Sequence, residues 1–506
     1  MKRFFSFLFF LMFLFPAYSQ KILYSDIIKE DNREINFEIL GKVGSNYIIY
    51  KNVRWKHMLA VYNEQMKLIS NHRLSFIPEK TFNIDFITNA DHFYVVYQYQ
   101  KKNIIYCKAA MLDAKGEKLT EPVLLDTSRV GIIADKKIYN TVFSEDKKNI
   151  LVYKMQRKND NLLLVTKLYN STLSLLDSTR EILPFDDRKD VYSDLFIDNE
   201  GTVVFTKGYK TGWRDNITRL EMGILKPLAS SIAFFEVPLQ DNFIDEVKIK
   251  IDNLNKRYIV NSLFFKKKSG NIAGLFTMLV NPQLIGRIHT AFNFFSDSLR
   301  TKINSDAQFS AAFNELFLRN TIVKKDGGFV LMAEDFSSQL YNNNSNFRRY
   351  NNLYNSPYAS NYDYYLNSPS YNNFYRPNIG YAQRMRYFYD DILILDLDST
   401  LKLNWNVLIH KKQEDEEQDN FLSYATFNAG AEIHFLFSGD KSNQVINNHS
   451  ILPTGEIKRY ATLKSYEAGY EFMPKLAKQV GARQVIIPSI YRGLVAFAKV
   501  DFSEAQ

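Results

Sequence analysis

RNTIVKKDGGFVLMAEDF, residues 319–336, is the stretch on which the fold turns. Residues 319–323 and 329–336 are extended runs dense in Ile, Val, Leu, Met and Phe, and side chains of this kind suit a pleated, half-buried surface. Between them, Asp326-Gly327-Gly328 tolerates positive φ, as a tight antiparallel turn requires.

The same unit recurs about eight times, and such self-similarity sets the architecture before any motif is consulted. It begins at Ile35 (INFEILGKVGS, then NYIIYKN), Phe82 (FNIDFITNAD, HFYVVYQYQ), Ile138 (IYNTVFSEDKKN, ILVYKMQ) and Val191 (VYSDLFIDNEG, TVVFTKGY). It continues at Val247 (VKIKIDNLNK, RYIVNSLFF), Arg319, Leu422 (LSYATFNAGA, EIHFLFSG) and Gln484 (QVIIPSIYRG, LVAFAKVDF). A third run often follows, as in IIYCKAAML from Ile104, LLLVTKLY from Leu162 and DILILDLD from Asp391. Three to four strands per unit, at a spacing of about 45 to 60 residues, predict the blades of a β-propeller. The expected fold is all-β, a propeller of seven or eight blades over residues 20–506. The last unit shows only two clear runs, and KILYSDII from Lys21 is the segment expected to complete it and close the ring.

Residues 1–19 read as a secretory signal: Lys2 and Arg3, an apolar run from Phe4 to Phe15, then Ala17-Tyr18-Ser19 before Gln20. The apolar run is short for a membrane span, and no later stretch reaches that length. No lipoprotein cysteine follows the run. The single cysteine, Cys107, excludes a disulfide within the chain and reads as an inert core thiol. Export without disulfides suits a large core. Net charge is +9, or +7 without Lys2 and Arg3, spread along the chain. That suits anionic envelope surroundings and gives no basic stripe or motif for nucleic acid.

Within the sixth repeat, residues 339–389 have a different composition, dominated by Tyr and Asn and broken by Pro357, Pro369 and Pro377. The segment reads as a low-complexity insertion loop. Tyr offers contact area with few rotatable bonds, Asn adapts its hydrogen bonding, and Arg pairs with carboxylates or phosphates. The candidate binding residues are therefore Arg348, Arg349, Tyr350, Tyr362, Tyr364, Tyr365, Arg376, Tyr381, Arg384 and Arg386.

No catalytic, metal or cofactor signature stands out. Gly-rich phosphate loops, Gly-x-Ser-x-Gly and His-Glu-x-x-His are absent. Asp396-x-Asp398-x-Thr400 lacks the glycine and closing glutamate of a calcium loop and fits a strand entering a turn. The acidic run 414–417 together with Asp419 reads as a solvated loop between blades, and His434, in an apolar run, as a satisfied core histidine.

DGGFVLMAEDF from Asp326, YDDILILDLDSTLKLNW from Tyr389, MPKLAKQV from Met473 and RQVIIPSIYRGLVAFAKVDF from Arg483 carry a resemblance to uncharacterised exported β-propeller-like proteins of Bacteroidota. The signal ending in AYSQ is similar too. The resemblance covers mainly residues 320–506. It implies a propeller-like repeat and an envelope location, and it brings no activity. A chain ending on a core strand, with no evident sorting domain, points to the periplasm or an outer-membrane-associated place. The leading expectation is a non-catalytic scaffold that binds an envelope protein or polysaccharide. The alternatives are a carbohydrate-active enzyme or lectin with its site at the central channel, and an accessory subunit of an outer-membrane assembly.

Overall fold

The computed structural model describes residues 21–503, apart from 28–35, 132–136, 187, 213–215, 269, 284–287, 305–314, 341–384, 417–418, 440–441 and 465–468. The first unit shows the plan. Its strands Phe37–Val43, Asn46–Val53, Lys56–Tyr62 and Leu68–Arg73 pair antiparallel in chain order. Hydrogen bonding groups the described strands into seven sheets, one of which has nine strands. Its halves join where Ile217 pairs with Ile244. Divided there, the units are residues 37–73, 81–129, 139–184, 190–237, 243–294, 316–416, 424–464 and 470–501.

The units form a ring. Apolar clusters fill the seams between consecutive units: Ile48 and Tyr50 meet Phe86 and Val95, Tyr153 meets Phe205, and Leu263 meets Leu331 and Leu393. The last seam returns to the start, with Phe37 and Ile49 against Ile486 and Phe497. Burying each such side chain is worth roughly 1.5–3 kcal/mol, so the seams dominate stability. First strands lie against first strands: Phe37–Val43 touches Thr81–Thr88 on one side and Lys478–Gly481 on the other. Fourth strands such as Leu68–Arg73 alternate between exposed and half-buried residues. First strands therefore line the centre and fourth strands the rim. This is a β-propeller.

The turns follow from local chemistry. In the 324–328 turn, Gly327 has φ +83° and the Lys324 amide donates to the Gly328 carbonyl at 2.8 Å. The Gly201 turn has the same hand, with φ +85°.

Lys21–Tyr24 pairs with Leu494–Asp501, from Lys21 opposite Asp501 to Tyr24 opposite Ala498, and closes the last unit as expected. The reading of that unit was one strand out of step. Gln484–Tyr491 is its second rank rather than its first. The first rank is broken into Tyr470–Phe472 and Lys478–Gly481 around the short 3-10 turn Pro474–Leu476, so it has no run long enough to read as a strand. The longer spacing before the sixth unit contains a helix, Asp297–Asn304. Its Leu299 fills the seam between units five and six, and Arg300 donates to the Ile272 and Ala273 carbonyls at 2.9 Å each.

Because strands alternate in direction, the links between units and the second-to-third connections emerge on one face. The first-to-second turns emerge on the other. The insertion of the sixth unit is a second-to-third connection.

Candidate functional site: the root of the insertion

The two strands that lead into the insertion are the longest described, Phe329–Leu340 with 12 residues and Met385–Leu397 with 13. They stay paired to their tips, with Gln339 opposite Arg386 and Leu340 opposite Met385. A third strand, Gln413–Glu416, pairs with Arg386–Tyr389. The insertion therefore rises from a three-stranded stem. Two expectations are corrected. Residues 339–340 and 385–389 are strand, not loop, because their backbone groups are taken up in the ladder. The acidic run begins as the third stem strand rather than as a solvated loop, and Glu414 pairs with Arg386 at 3.0 Å.

A bulge marks where the stem leaves the blade. The register shifts between Glu334, opposite Ile392, and Phe336, opposite Tyr389. Asp335 sits at this step, where Asp390 and Asp391 are the residues left between the registered pairs of the partner strand.

Glu334 is fully buried and holds a knot of charges at the seam with unit seven. Its Oε2 accepts from Arg319 Nε at 3.1 Å and from the Ser423 hydroxyl at 2.7 Å. Arg319 Nη2 and Lys411 Nζ lie at ion-pair distance, 2.9 Å each, from its two oxygens. Lys411 also donates to the Tyr389 carbonyl at 2.9 Å and to Gln413 Oε1 at 3.1 Å. The Tyr389 hydroxyl donates to Asp419 at 2.8 Å, and Lys475 Nζ donates to the same oxygen at 2.7 Å. The Tyr389 ring has Arg319, Lys411 and Lys475 within 6.0 Å of its centroid. Buried charges are tolerated only when partnered, and both carboxylates here are held by cations. Their lone pairs are spent on fastening the stem to the link into unit seven and, through Lys475, to unit eight.

Asp335, Asp390 and Asp391 differ. Asp335 is 5% exposed. Burial pushes its carboxyl well above the usual range, helped by the charges of Asp390, Glu315 and Asp391. Burial also pushes Asp390 up to about 6, against the pull of Lys411, and its Oδ1 lacks a hydrogen-bond partner among the described residues. Asp391 is raised by burial too, although His410 lies 3.2 Å away and pulls it down.

Of the ten candidate binding residues, Arg348, Arg349, Tyr350, Tyr362, Tyr364, Tyr365, Arg376, Tyr381 and Arg384 lie outside the described residues. Arg386 stands on the stem, with its guanidinium 5.4 Å from the Phe388 ring centroid. Arg319, Glu334, Lys411 and Lys475 were missed, and Asp419, expected in a solvated loop, is buried where Tyr389 and Lys475 hold its carboxylate. One signal was available: charges inside apolar runs, such as Glu334 in FVLMAEDF and Lys475 in MPKLAKQV, need buried partners. Elsewhere the bland readings stand. His434 bonds Asn448 at 2.9 Å and stacks on Phe427. Cys107 is fully buried. Asp398 accepts from the Thr400 and Lys402 amides of its turn, and Asp396 pairs with Lys324 at 2.7 Å.

No family model matches the chain, and no curated protein matches it. Three solved structures are similar in outline. Prolyl oligopeptidase B from Galerina marginata has 7% identity and a TM-score of 0.43, over 92% of this chain and 56% of that one. Dihydro-heme d1 dehydrogenase NirN has 12% identity and a TM-score of 0.41, over 95% and 74%. A eukaryotic initiation factor has 9% identity and a TM-score of 0.39, over 94% and 91%. The chain spans little more than half the length of the prolyl oligopeptidase. No activity, substrate or partner passes from these proteins to this chain.

Proposed function

We propose that this protein is a non-catalytic scaffold of the cell envelope that docks an envelope protein or polysaccharide through the face bearing the stem. The observation that carries the reading is the knot around Glu334. It spends a buried network of five charges on holding a stem rigidly to the ring, an investment that suits presentation of a contact surface. The Tyr, Asn and Arg composition of residues 341–384 suits an adaptable contact surface. An exported location, in the periplasm or against the outer membrane, belongs to the same proposal. A second reading, an accessory subunit of an outer-membrane assembly, draws on apolar residues exposed on the rim strands, among them Ile69, Leu124, Leu175, Leu176 and Ile182.

The test places a photoreactive residue at Glu414 on the stem, at Ile182 on the rim and at Leu254 in a turn on the opposite face. Cross-linking is then run in intact cells. One discrete adduct from Glu414, lost when residues 341–384 are excised, supports stem docking. Adducts from Ile182 alone transfer support to the rim, and adducts from Leu254 alone refute both. Because Leu340 and Met385 face each other, a two-residue Asn-Gly turn can replace the excised segment without disturbing the stem.

A further inference from the structure

The face that bears the stem carries cations that its turns do not need. Second-to-third turns emerge there, and those of units one, two, three, five and eight span residues 54–55, 102–103, 159–160, 266–271 and 492–493. Each has Lys or Arg at or beside its tip: Arg54, Lys102, Lys158, Lys267 and Arg492. All five are exposed, and none enters an ion pair with a described residue. Asp160 is the sole acid in these turns. Arg54 and Arg492 have φ +50° and Lys102 has φ +54°. Asn and Gly adopt that region with less strain, so turn geometry does not call for a cation.

Other connections mix their charges. On the opposite face, the first-to-second turns carry both signs, as at 145–148 and 324–326. On the stem face, the links between units carry both signs and pair them, Arg73 with Glu79 at 2.6 Å and Lys189 with Asp186 at 3.7 Å. The uncompensated positive charge therefore lies on the second-to-third turns. These join the middle strands of each unit, so the cations stand in a circle around the face. Aromatic side chains stand among them. Trp55 is 58% exposed between Arg54 and Lys56, and Phe294 is 57% exposed with the Lys266 ammonium 5.0 Å from its ring centroid. The Arg492 guanidinium lies 5.0 Å from the Tyr491 centroid.

We propose that the stem-bearing face binds an acidic polysaccharide. Carboxylates of the polymer pair with the turn cations, and its sugar rings lie on the exposed aromatic side chains. This rests on the docking face proposed above and names the polymer it takes. Charge complementarity selects a polyanion, and cations spread over separate units suit a long chain that crosses several turns. A flat lipid surface fits less well, because the stem, built on strands of 12 and 13 residues, stands on the same face.

The experiment measures binding of the full protein to immobilised alginate, a polymer of uronic acids, with neutral dextran as the control. Alginate should be bound, dextran should not, and affinity should fall as salt is raised. Arg54→Asn, Lys102→Asn and Arg492→Asn, made together, suit the left-handed turn positions and should weaken binding by about 10-fold or more, equivalent to about 1.4 kcal/mol. The same charge change on the opposite face, Lys148→Asn with Lys256→Asn and Lys325→Asn, should leave binding unchanged, as should excision of residues 341–384. The proposal is overturned by equal binding of dextran, by equal loss from the two triple variants, or by full binding of the stem-face variant at an unchanged melting temperature. Binding to phosphatidylglycerol vesicles without binding to alginate also overturns it and assigns the face to lipid. Absence of alginate binding while the Glu414 cross-link persists overturns this inference alone and leaves the docking face standing.

Discussion

Replacing Asp390 by asparagine should make the protein more stable at neutral pH. The folded carboxyl titrates at about 6 rather than at 3.8, because burial strips it of water and Asp391 adds like charge, while Lys411 offsets only part of this. Between these two values the folded protein holds a proton that the unfolded chain has released. Stability therefore falls as pH rises through that window, and the loss is complete above the folded value. A shift of about 2 units at 1.36 kcal/mol each gives a little under 3 kcal/mol. Partial solvent access reduces this to about 2 kcal/mol at pH 7. Asparagine has nearly the same shape and does not ionise, so the variant should escape the penalty. Urea unfolding of both proteins from pH 4 to 8 checks this, with the difference in midpoint read at each pH. The variant should match the unaltered protein near pH 4 and exceed it by about 2 kcal/mol above pH 7. A constant difference across the range, or a variant weaker at pH 7, would refute the reasoning. Asp335→Asn should act in the same direction, and the two changes should fall short of additivity because the groups repel one another.

Three further outcomes are expected. Glu334→Ala leaves Arg319 and Lys411 buried without their shared carboxylate and should cost about 3–5 kcal/mol, read as a lower denaturant midpoint. Deleting residues 1–24 removes the strand Lys21–Tyr24 and opens the edge of Leu494–Asp501, so melting temperature should fall and association should grow with concentration in light scattering. Cys107 should resist a maleimide in the native protein and react once unfolded, since burial leaves its sulfur inaccessible and raises its pKa strongly; quantitative native labelling, followed by mass spectrometry, would contradict the buried placement.

The ring was legible because its information is local. Asp326-Gly327-Gly328 announces a hairpin within five residues of the strands it joins, and each repeat announces itself the same way. The closing strand was legible too, since KILY is a strand-forming run with no other partner. The last unit was misread because Gln484–Tyr491 is a far stronger strand former than Tyr470–Phe472, which is cut short by Pro474. The knot at the stem was not legible for a different reason. Ser423 is 89 residues from Glu334, and Lys475 is 86 from Tyr389, so only the folded ring says which charge meets which. The stem itself was hidden by composition: Tyr387, Phe388 and Tyr389 look like the Tyr-rich insertion beside them yet belong to the ladder.

The pairing of Lys21 with Asp501 has a consequence in time. These residues are 480 positions apart, and among the described residues no other pair in the sheets waits so long for its partner. Lys21–Tyr24 leaves the ribosome long before Leu494–Asp501 and has no sheet partner until that strand arrives. Until then the ring is an open arc with two raw edges. Native pairing across so long a loop forms slowly, and open strand edges invite neighbours. A chain interrupted before Leu494–Asp501 would keep both edges open and stay distinguishable from a closed ring. Closure of the ring is in this sense a single late event, reported by one four-residue strand.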